Sequence, residues 1–393
     1  MTTTETSQLR VALLAGCLER HGAERQAVFM ARALRQAGVE VRIYSLTRGD
    51  HYESVLRSEG FVVEWAGRVR NPLLRVGILI QQMWGFKPHI VQATLGHNNL
   101  HAAIVARMLG AISLGALRTD LEKCGRLMGR WTPYLFRVPT GIVVNSKHAE
   151  QQLRASGLTG PNRVWLLPNV VDLVELGVEE GYEEATPAAA NSPVTAIFLS
   201  RLVGLKRLDL FLRALAMARE SEAELQGLVV GDGPEREPME RLARELGLLP
   251  GGVKFAGESF RPAEQIRQSD FLVLCSDHEG SPNSVLEAMA MGKPTVVTPA
   301  GDAPSIVEHG VRGFVVDFDD HQALAKRMVE LTRSAELRAR MGRAARSEIE
   351  ESYSLDGLAG RLLEIYAKAA AGRGSGLPVP VGAIADEASR AAR

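Results

Sequence analysis

Two carboxylates eight positions apart, Glu279 and Glu287, lie in the stretch DHEGSPNSVLEAMAMGKPTVV (277–297). The segment around Glu287 is apolar almost all round, through Val285, Leu286, Ala288, Met289, Ala290 and Met291. A helix apolar on every side is a buried one, and Glu287 has no basic residue within a turn of it. A buried carboxylate needs a partner. A diol can be that partner, because one carboxylate accepts hydrogen bonds from both hydroxyls of a ribose. Just ahead, Ser281 and Pro282 suit the N-cap and first helical positions. The amides of Asn283 and Ser284 then point outward at the positive end of the helix, which favours an anion such as phosphate. Asn283 and Glu287 are i and i+4 and share a face. They lie roughly 5 Å apart along the axis, about the offset from a nucleotide phosphate to its ribose. Glu279, with Gly280 after it, precedes the helix on the far side of the phosphates, where a sugar attached to the diphosphate would sit. The plainer alternative is a solvated loop residue at 279 and a half-exposed one at 287.

A second pair of residues could neutralise the same anion. In SRLVGLKRLDL (200–210), Arg201 follows an apolar run and Lys206 precedes a helical pattern. Two cations there could hold a diphosphate both as ligand and as leaving group. Taken alone, RLVGLK also reads as an ordinary surface loop.

The elements that must position these residues alternate regularly. LRVALLAG (9–16), VEVRIYSL (39–46), HIVQAT (89–94), AISLGAL (111–117) and TGIVVNS (140–146) read as strands with helices between them. After 173–193, rich in Glu, Ala and Pro, the alternation restarts with VTAIFLS (194–200), LQGLVVG (225–231), VKFAG (253–257), FLVLCS (271–276), PTVVTP (294–299) and GFVVD (313–317). Helices are expected at 321–332, 335–349 and 355–370. Strand–helix alternation builds parallel doubly wound sheets, so the expected fold class is α/β with two Rossmann-like domains facing a cleft. Their expected extents are 1–172 and 194–350, joined by the linker 173–193. A helix within 351–371 is expected to return toward the first domain, and a mobile tail to occupy 372–393. Ligands of such sheets bind beyond the carboxyl ends of the strands, where Arg201, Lys206 and Glu279 fall.

These residues carry a resemblance. SRLVGLKRLDLFLRAL, LVVGDGPEREPMERLARELG, VKFAG and HEGSPNSVLEAMAMGKPTVVT resemble the donor-binding domain of group 1 glycosyltransferases, the retaining GT-B family often called family 4. Its hallmark is two glutamates separated by seven residues, as at Glu279 and Glu287. In the first half, HGAERQAVFMARALRQAGVEVRIYSL, VVNSKHAEQQL and VWLLPNVVD resemble the family's corresponding segments. The resemblance implies a nucleotide-diphosphate sugar, UDP- or GDP-type, as donor substrate. It implies that Arg201 and Lys206 hold the diphosphate with the loop Gly280, Ser281, Pro282, Asn283 and Ser284. Glu287 would hold the ribose and Glu279 the sugar hydroxyls. The backbone from Glu258 to Phe260 would meet the base, and Gly22 would let a first-domain loop approach the ligand. It further implies retention of anomeric configuration by front-face attack and domain closure around the substrates, with no required metal and no cofactor. The acceptor, a glycan, a lipid-linked molecule or a small molecule, is left open.

The sequence departs from the family pattern at three positions. His21 stands where the family loop has Gly. Arg118 stands where many members have His; it could stabilise charge but not act as a base. Ser305 stands where members often have Glu, which also leaves the role of Asp302 open. His97, after the strand 89–94, is a second candidate for the site. Asp317 and Asp319 form a D-x-D that reads as a turn before a helix rather than a metal site. The segment 122–137 mixes Lys123, Arg126, Arg130 and Arg137 with Trp131, Tyr134 and Phe136. It reads either as an amphipathic cover for the acceptor or as a contact for an anionic bilayer.

Composition narrows the classes. Of the 393 residues 46% are hydrophobic and 23% charged, with a formal net charge of zero. Residues 1–172 hold 21 Lys and Arg against 12 Asp and Glu, leaving the remainder acidic. A basic half suits an acidic partner; nucleic acid is not expected. Three scattered cysteines form no metal or disulfide pattern, and no apolar run reaches the length of a membrane span. A cytoplasmic protein, either soluble or peripheral at the inner face of the membrane, is expected. GCLERHG after the first strand lacks G-x-G-x-x-G, which argues against a dinucleotide oxidoreductase. A sugar-nucleotide epimerase and a non-catalytic sugar-nucleotide-binding scaffold remain as alternatives on the same architecture.

Overall fold

The computed structural model describes residues 8–67, 69, 71–178, 193–222, 224–259, 261–374 and 376–378. The chain divides into two units, Met1–Val170 with Leu355–Arg393, and Val171–Ser354.

The first unit holds β1 (Arg10–Ala15), β2 (Glu40–Ser45), β3 (Val62–Trp65), β4 (Ile90–Ala93), β5 (Ile112–Leu117), β6 (Gly141–Val144) and β7 (Val164–Leu166). They form one sheet in the order β3-β2-β1-β4-β5-β6-β7, parallel at every pairing. The unbroken apolar run of β1 follows from burial on both faces. Val11, Leu13 and Ala15 enter one apolar cluster with the helix Gly22–Gln36, while Ala12 and Leu14 enter another with Leu79 and Met83. The helix Leu358–Ala371 belongs to this unit. Its Leu362, Leu363 and Tyr366 join the cluster under Gly22–Gln36. Tyr366 Oη donates to Gln92 Oε1 on β4 at 2.6 Å, which satisfies two buried polar groups at once.

The second unit holds β8 (Thr195–Leu199), β9 (Gln226–Val230), β10 (Val253–Gly257), β11 (Phe271–Leu274), β12 (Thr295–Val297) and β13 (Gly313–Val315). Their order is β10-β9-β8-β11-β12-β13, again parallel. Phe271 and Val273 face one core. Leu272 and Leu274 face the other, against Val285, Leu286 and Met289 of the helix Asn283–Ala290. The period of two along β11 therefore sets which side this helix covers.

Residues 173–178, read from sequence as the start of a linker, are packed into the second unit. Leu176 and Val178 are buried in its core, and their carbonyls accept from Arg267 at 2.8 Å and Arg346 at 2.7 Å. Two apolar residues in an acidic stretch supply the anchor. The rest of the expected linker, 179–192, lies outside the described residues, as do 375 and 379–393 of the expected tail. Residues 351–354 stay with the second unit, where Val171 N donates to Tyr353 O at 2.9 Å.

Candidate active site

In the second sheet the strand order reverses between β8 and β11. Loops leaving the carboxyl ends of two such strands diverge and open a crevice. The loop after β8 carries Arg201, Lys206 and Arg207, and the loop after β11 carries Ser276 to Pro282. The two are stitched by Asp277 N donating to Leu205 O at 2.9 Å.

Lys206 Nζ lies 2.5 Å from Glu279 Oε1, both side chains being mostly buried. Ser276 Oγ donates to the same carboxylate oxygen at 2.7 Å. Ser276 is itself buried, and its carbonyl accepts from Thr298 Oγ1 at 2.7 Å. A chain of contacts thus runs from the end of β12 through Ser276 to Glu279 and Lys206. An ammonium has three donors; Glu279 takes one, which leaves Lys206 capacity for an anion. Arg201 is exposed at the end of β8. Arg207 is committed elsewhere: it contacts Asp209 at 3.1 Å, Asp277 at 3.2 Å and Asp319 at 2.6 Å. Its hydrogen bond to Asp209 leads the contacts that hold its charge above the ordinary arginine range. Asp319, half of the D-x-D, is therefore the partner of an arginine, in the turn before the helix His321–Arg333.

The helix after Glu279 begins at Asn283, with Pro282 at the N-cap position and no side-chain cap. The expected Ser281 cap is thus displaced by one residue, because Pro282 adopts an extended ψ of 111° rather than a helical one. The first helical bond runs from Leu286 N to Pro282 O at 3.2 Å. Asn283 and Ser284 open the first turn, at the positive end of the helix dipole, and that turn carries no acid to offset it. Glu287 is 6% exposed on this helix. It is not without a protein partner, so the expectation of an unpartnered carboxylate is corrected.

Three glycines that the sequence analysis did not single out set the loop positions. Gly301 has φ +56°, and a Cβ there would lie 2.4 Å from Gly280 O and 2.6 Å from Glu279 O. The same loop donates from Asp302 N to Gly280 O at 2.9 Å. Gly231 and Gly233, after β9, likewise press on the loop after β8: a Cβ would lie 1.8 Å from Ser200 O and 2.3 Å from Leu202 O respectively. Leu202 N donates to Asp232 O between them at 2.9 Å, so the backbone on either side of Arg201 is held. The G-x-G directly after an apolar run was the available signal. Glu258 is exposed after the edge strand β10, and Phe260 lies outside the described residues.

Gly22, His97 and Arg118 belong to the first unit. Gly22 opens the helix Gly22–Gln36, and the extended His21 before it makes no side-chain cap. His97 follows β4 at that sheet's own reversal point, with Nε2 where a Cβ on Gly16 would be, 2.4 Å away. Arg118 Nε donates to Thr94 O at 2.8 Å and a terminal nitrogen to Asn169 Oδ1 at 3.2 Å. Burial pushes its pKa down to about 10, with the Glu24 carboxylate opposing. At neutral pH Arg118 is a fixed cation that braces the ends of β4 and β5. The same unit contains Glu24, buried and accepting from Cys17 Sγ at 3.2 Å. Burial and then that bond push the Cys17 thiol up to about 12, so Cys17 is protonated and not a nucleophile.

The second unit therefore brings Lys206 and Glu279 together where the loops after β8 and β11 meet, followed in sequence by the helix that carries Glu287. Two family models match the chain: "Glycosyltransferase Family 4" over residues 20–175 and "Glycosyl transferases group 1" over residues 183–348. N-acetyl-alpha-D-glucosaminyl L-malate synthase of Bacillus anthracis is 30% identical over 196 residues, 50% of this chain and 49% of that protein. The match thus spans about half of that relative. The Vi polysaccharide biosynthesis protein VipC/TviE of Salmonella typhi is 25% identical over 418 residues, 91% of this chain and 71% of that protein. Among solved structures, Anabaena Alr3699/HepE in complex with UDP-glucose has the same fold, with TM-score 0.78 at 19% identity, covering 91% of this chain and 99% of that one.

Proposed function

Because the chain belongs to the group 1, family 4-like glycosyltransferases and has their GT-B fold, we propose that it moves a sugar from a nucleotide-diphosphate donor to an acceptor in polysaccharide or glycolipid assembly. The observation that carries this reading is the contact of Lys206 with Glu279 at the reversal point of the second sheet, beside the uncapped helix that carries Glu287. Lys206, Arg201 and the amides of Asn283 and Ser284 bind the diphosphate, Glu287 accepts from the ribose hydroxyls, and Glu279 orients the sugar. A UDP-type donor is favoured over GDP, supported by the fold neighbour solved with UDP-glucose. The name of the Salmonella relative supports polysaccharide assembly.

Transfer with retention is the chemistry that suits these groups. The bond from the anomeric carbon to the departing phosphate breaks as the acceptor oxygen bonds to the same face. The phosphate oxygen that leaves takes the acceptor's proton, so no enzymic base is needed. The residues supply position and charge stabilisation. Glu279 is held by Lys206 and Ser276, an arrangement suited to orienting a hydroxyl rather than attacking carbon. No metal or cofactor is part of this proposal.

Calorimetric titration with UDP, GDP and ADP tests it, run with chelator and again with added magnesium. One diphosphate is expected to bind the wild type. Glu287→Gln is expected to weaken that binding roughly 10- to 100-fold, the value of charge-assisted hydrogen bonds. Equal affinity in the two proteins, both folded by thermal melting, rejects the ribose assignment.

Ser276 gives a smaller prediction. Ser276→Ala removes one donor from Glu279 and leaves Lys206 in place. Turnover is expected to fall about tenfold while the affinity for free nucleoside diphosphate stays unchanged, since Glu279 faces the sugar. A fall in diphosphate affinity equal to the fall in turnover contradicts this role for Ser276.

A further inference from the structure

The first unit presents an apolar stripe that its own core does not use. The segment runs through the helix Leu121–Met128, the turn Gly129–Trp131 and the helix Thr132–Arg137. Its inward side is anchored: Cys124, Leu135 and Phe136 are buried in a cluster with Ile142 and Leu153. Its outward side carries Leu127, Trp131, Tyr134 and Val138, exposed by 69%, 54%, 55% and 46%. Steps of three and four place Trp131, Tyr134 and Val138 along one face after the break at Gly129, and Leu127 is the exposed apolar residue just before that break. Trp131 and Tyr134 already touch, with ring centroids 5.9 Å apart.

Charge along the stripe is one-sided. Arg130 lies over the Trp131 ring at 5.5 Å, and Arg137 is exposed next to Val138. Glu122, the acid of this segment, is paired with Arg126. Aromatic rings flanked by arginines suit the headgroup region of a bilayer, where the rings enter the boundary and the guanidinium groups stay in water against lipid phosphates. No helix among the described residues is long and apolar enough to cross a membrane, so this contact would lie on the surface.

We propose that the stripe from Leu127 to Val138 seats the first unit on an anionic phospholipid surface. The placement does not depend on the donor assignment in the second unit. Three consequences are measurable with the full-length chain by co-sedimentation with vesicles. Binding is expected to phosphatidylcholine vesicles containing phosphatidylglycerol, weaker binding to phosphatidylcholine alone, and a decline with added salt. Arg130→Glu with Arg137→Glu is expected to lower partition on the anionic vesicles about 30-fold or more. Trp131→Ala with Tyr134→Ala is expected to lower partition on both kinds. All four side chains are exposed, so melting temperatures should match the wild type. Trp84→Ala, an exposed tryptophan on the helix Pro72–Trp84, should change nothing. The proposal fails if the wild type ignores anionic vesicles, if the paired variants bind as well as wild type, or if Trp84→Ala loses as much. It also fails if the stripe variants instead abolish a dimer seen by analytical ultracentrifugation in a protein that binds no vesicle.

Discussion

Lys206→Ala should lower kcat/KM about 1,000-fold, the scale found when one donor to a developing oxyanion is removed. Two losses add up in this variant. The departing diphosphate loses a cation in a partly dry crevice, where charge is poorly screened. Glu279 also loses the ammonium 2.5 Å from its Oε1, and it then stands as a mostly buried carboxylate near an anionic ligand. That second loss predicts a specific non-additivity. In the Lys206→Ala background, Glu279→Gln should cost much less than it does alone, because neutralising the carboxylate removes the repulsion left by the first change. Contacting residues couple in this way, by about 0.5–3 kcal/mol. Lys206→Arg should restore only part of the activity, since a planar fork does not reproduce a point donor shared between a carboxylate and a phosphate. The measurement is steady-state kinetics on the four proteins of the cycle with one donor sugar. Activity within threefold of wild type in Lys206→Ala would exclude the lysine from the leaving-group site.

The fold was legible from periodicity where strands are central. The apolar runs at 9–16, 271–276 and 294–299 are buried on both faces, and they contain β1, β11 and β12. The edge strands β3 and β7 escaped notice. They have four and three residues, and each is covered on only part of its length; Glu64 interrupts β3, and the apolar run at β7, VWLL (164–167), is only four residues long. The helices expected at 321–332 and 335–349 lie within a residue or so of His321–Arg333 and Ala335–Glu348. Both begin with a side-chain cap, Asp320 and Ser334, which is a local signal.

At the candidate site the same division holds. Lys206 and Glu279 come together because strand order places their loops side by side, and the rule that ligands bind at carboxyl ends anticipates this. The support of Glu279 by Ser276, three residues earlier, is local, but only the shape of the loop after β11 shows it. The basic and aromatic content of 122–137 was visible in the sequence. Which residues face outward was not, because the helical path breaks at Gly129 and only the packing of Cys124, Leu135 and Phe136 fixes its phase.

The support of the loop after β11 leads to a test that touches no ligand-binding side chain. Gly301→Ala should lower kcat/KM by roughly 100-fold, because small misplacements of a positioned group have effects of that size. The new Cβ would stand 2.4 Å from Gly280 O and 2.6 Å from Glu279 O. Both obstacles are backbone, so no side-chain rotation relieves them, and the Glu279–Gly280 segment must retreat by up to about 1 Å to reach van der Waals distance. Strain from the left-handed φ of +56° adds about 1–2 kcal/mol of lost stability. Gly310→Ala separates the two effects. Gly310 has φ +82°, and nothing lies within 4 Å of where its Cβ would be. It should lose similar stability to strain and keep its activity. Chemical denaturation and the kcat/KM for donor on both variants decide the matter. If Gly301→Ala keeps the kcat/KM of Gly310→Ala, the loop after β12 does not set the position of Glu279, and the carboxylate is held by Lys206 and Ser276 alone.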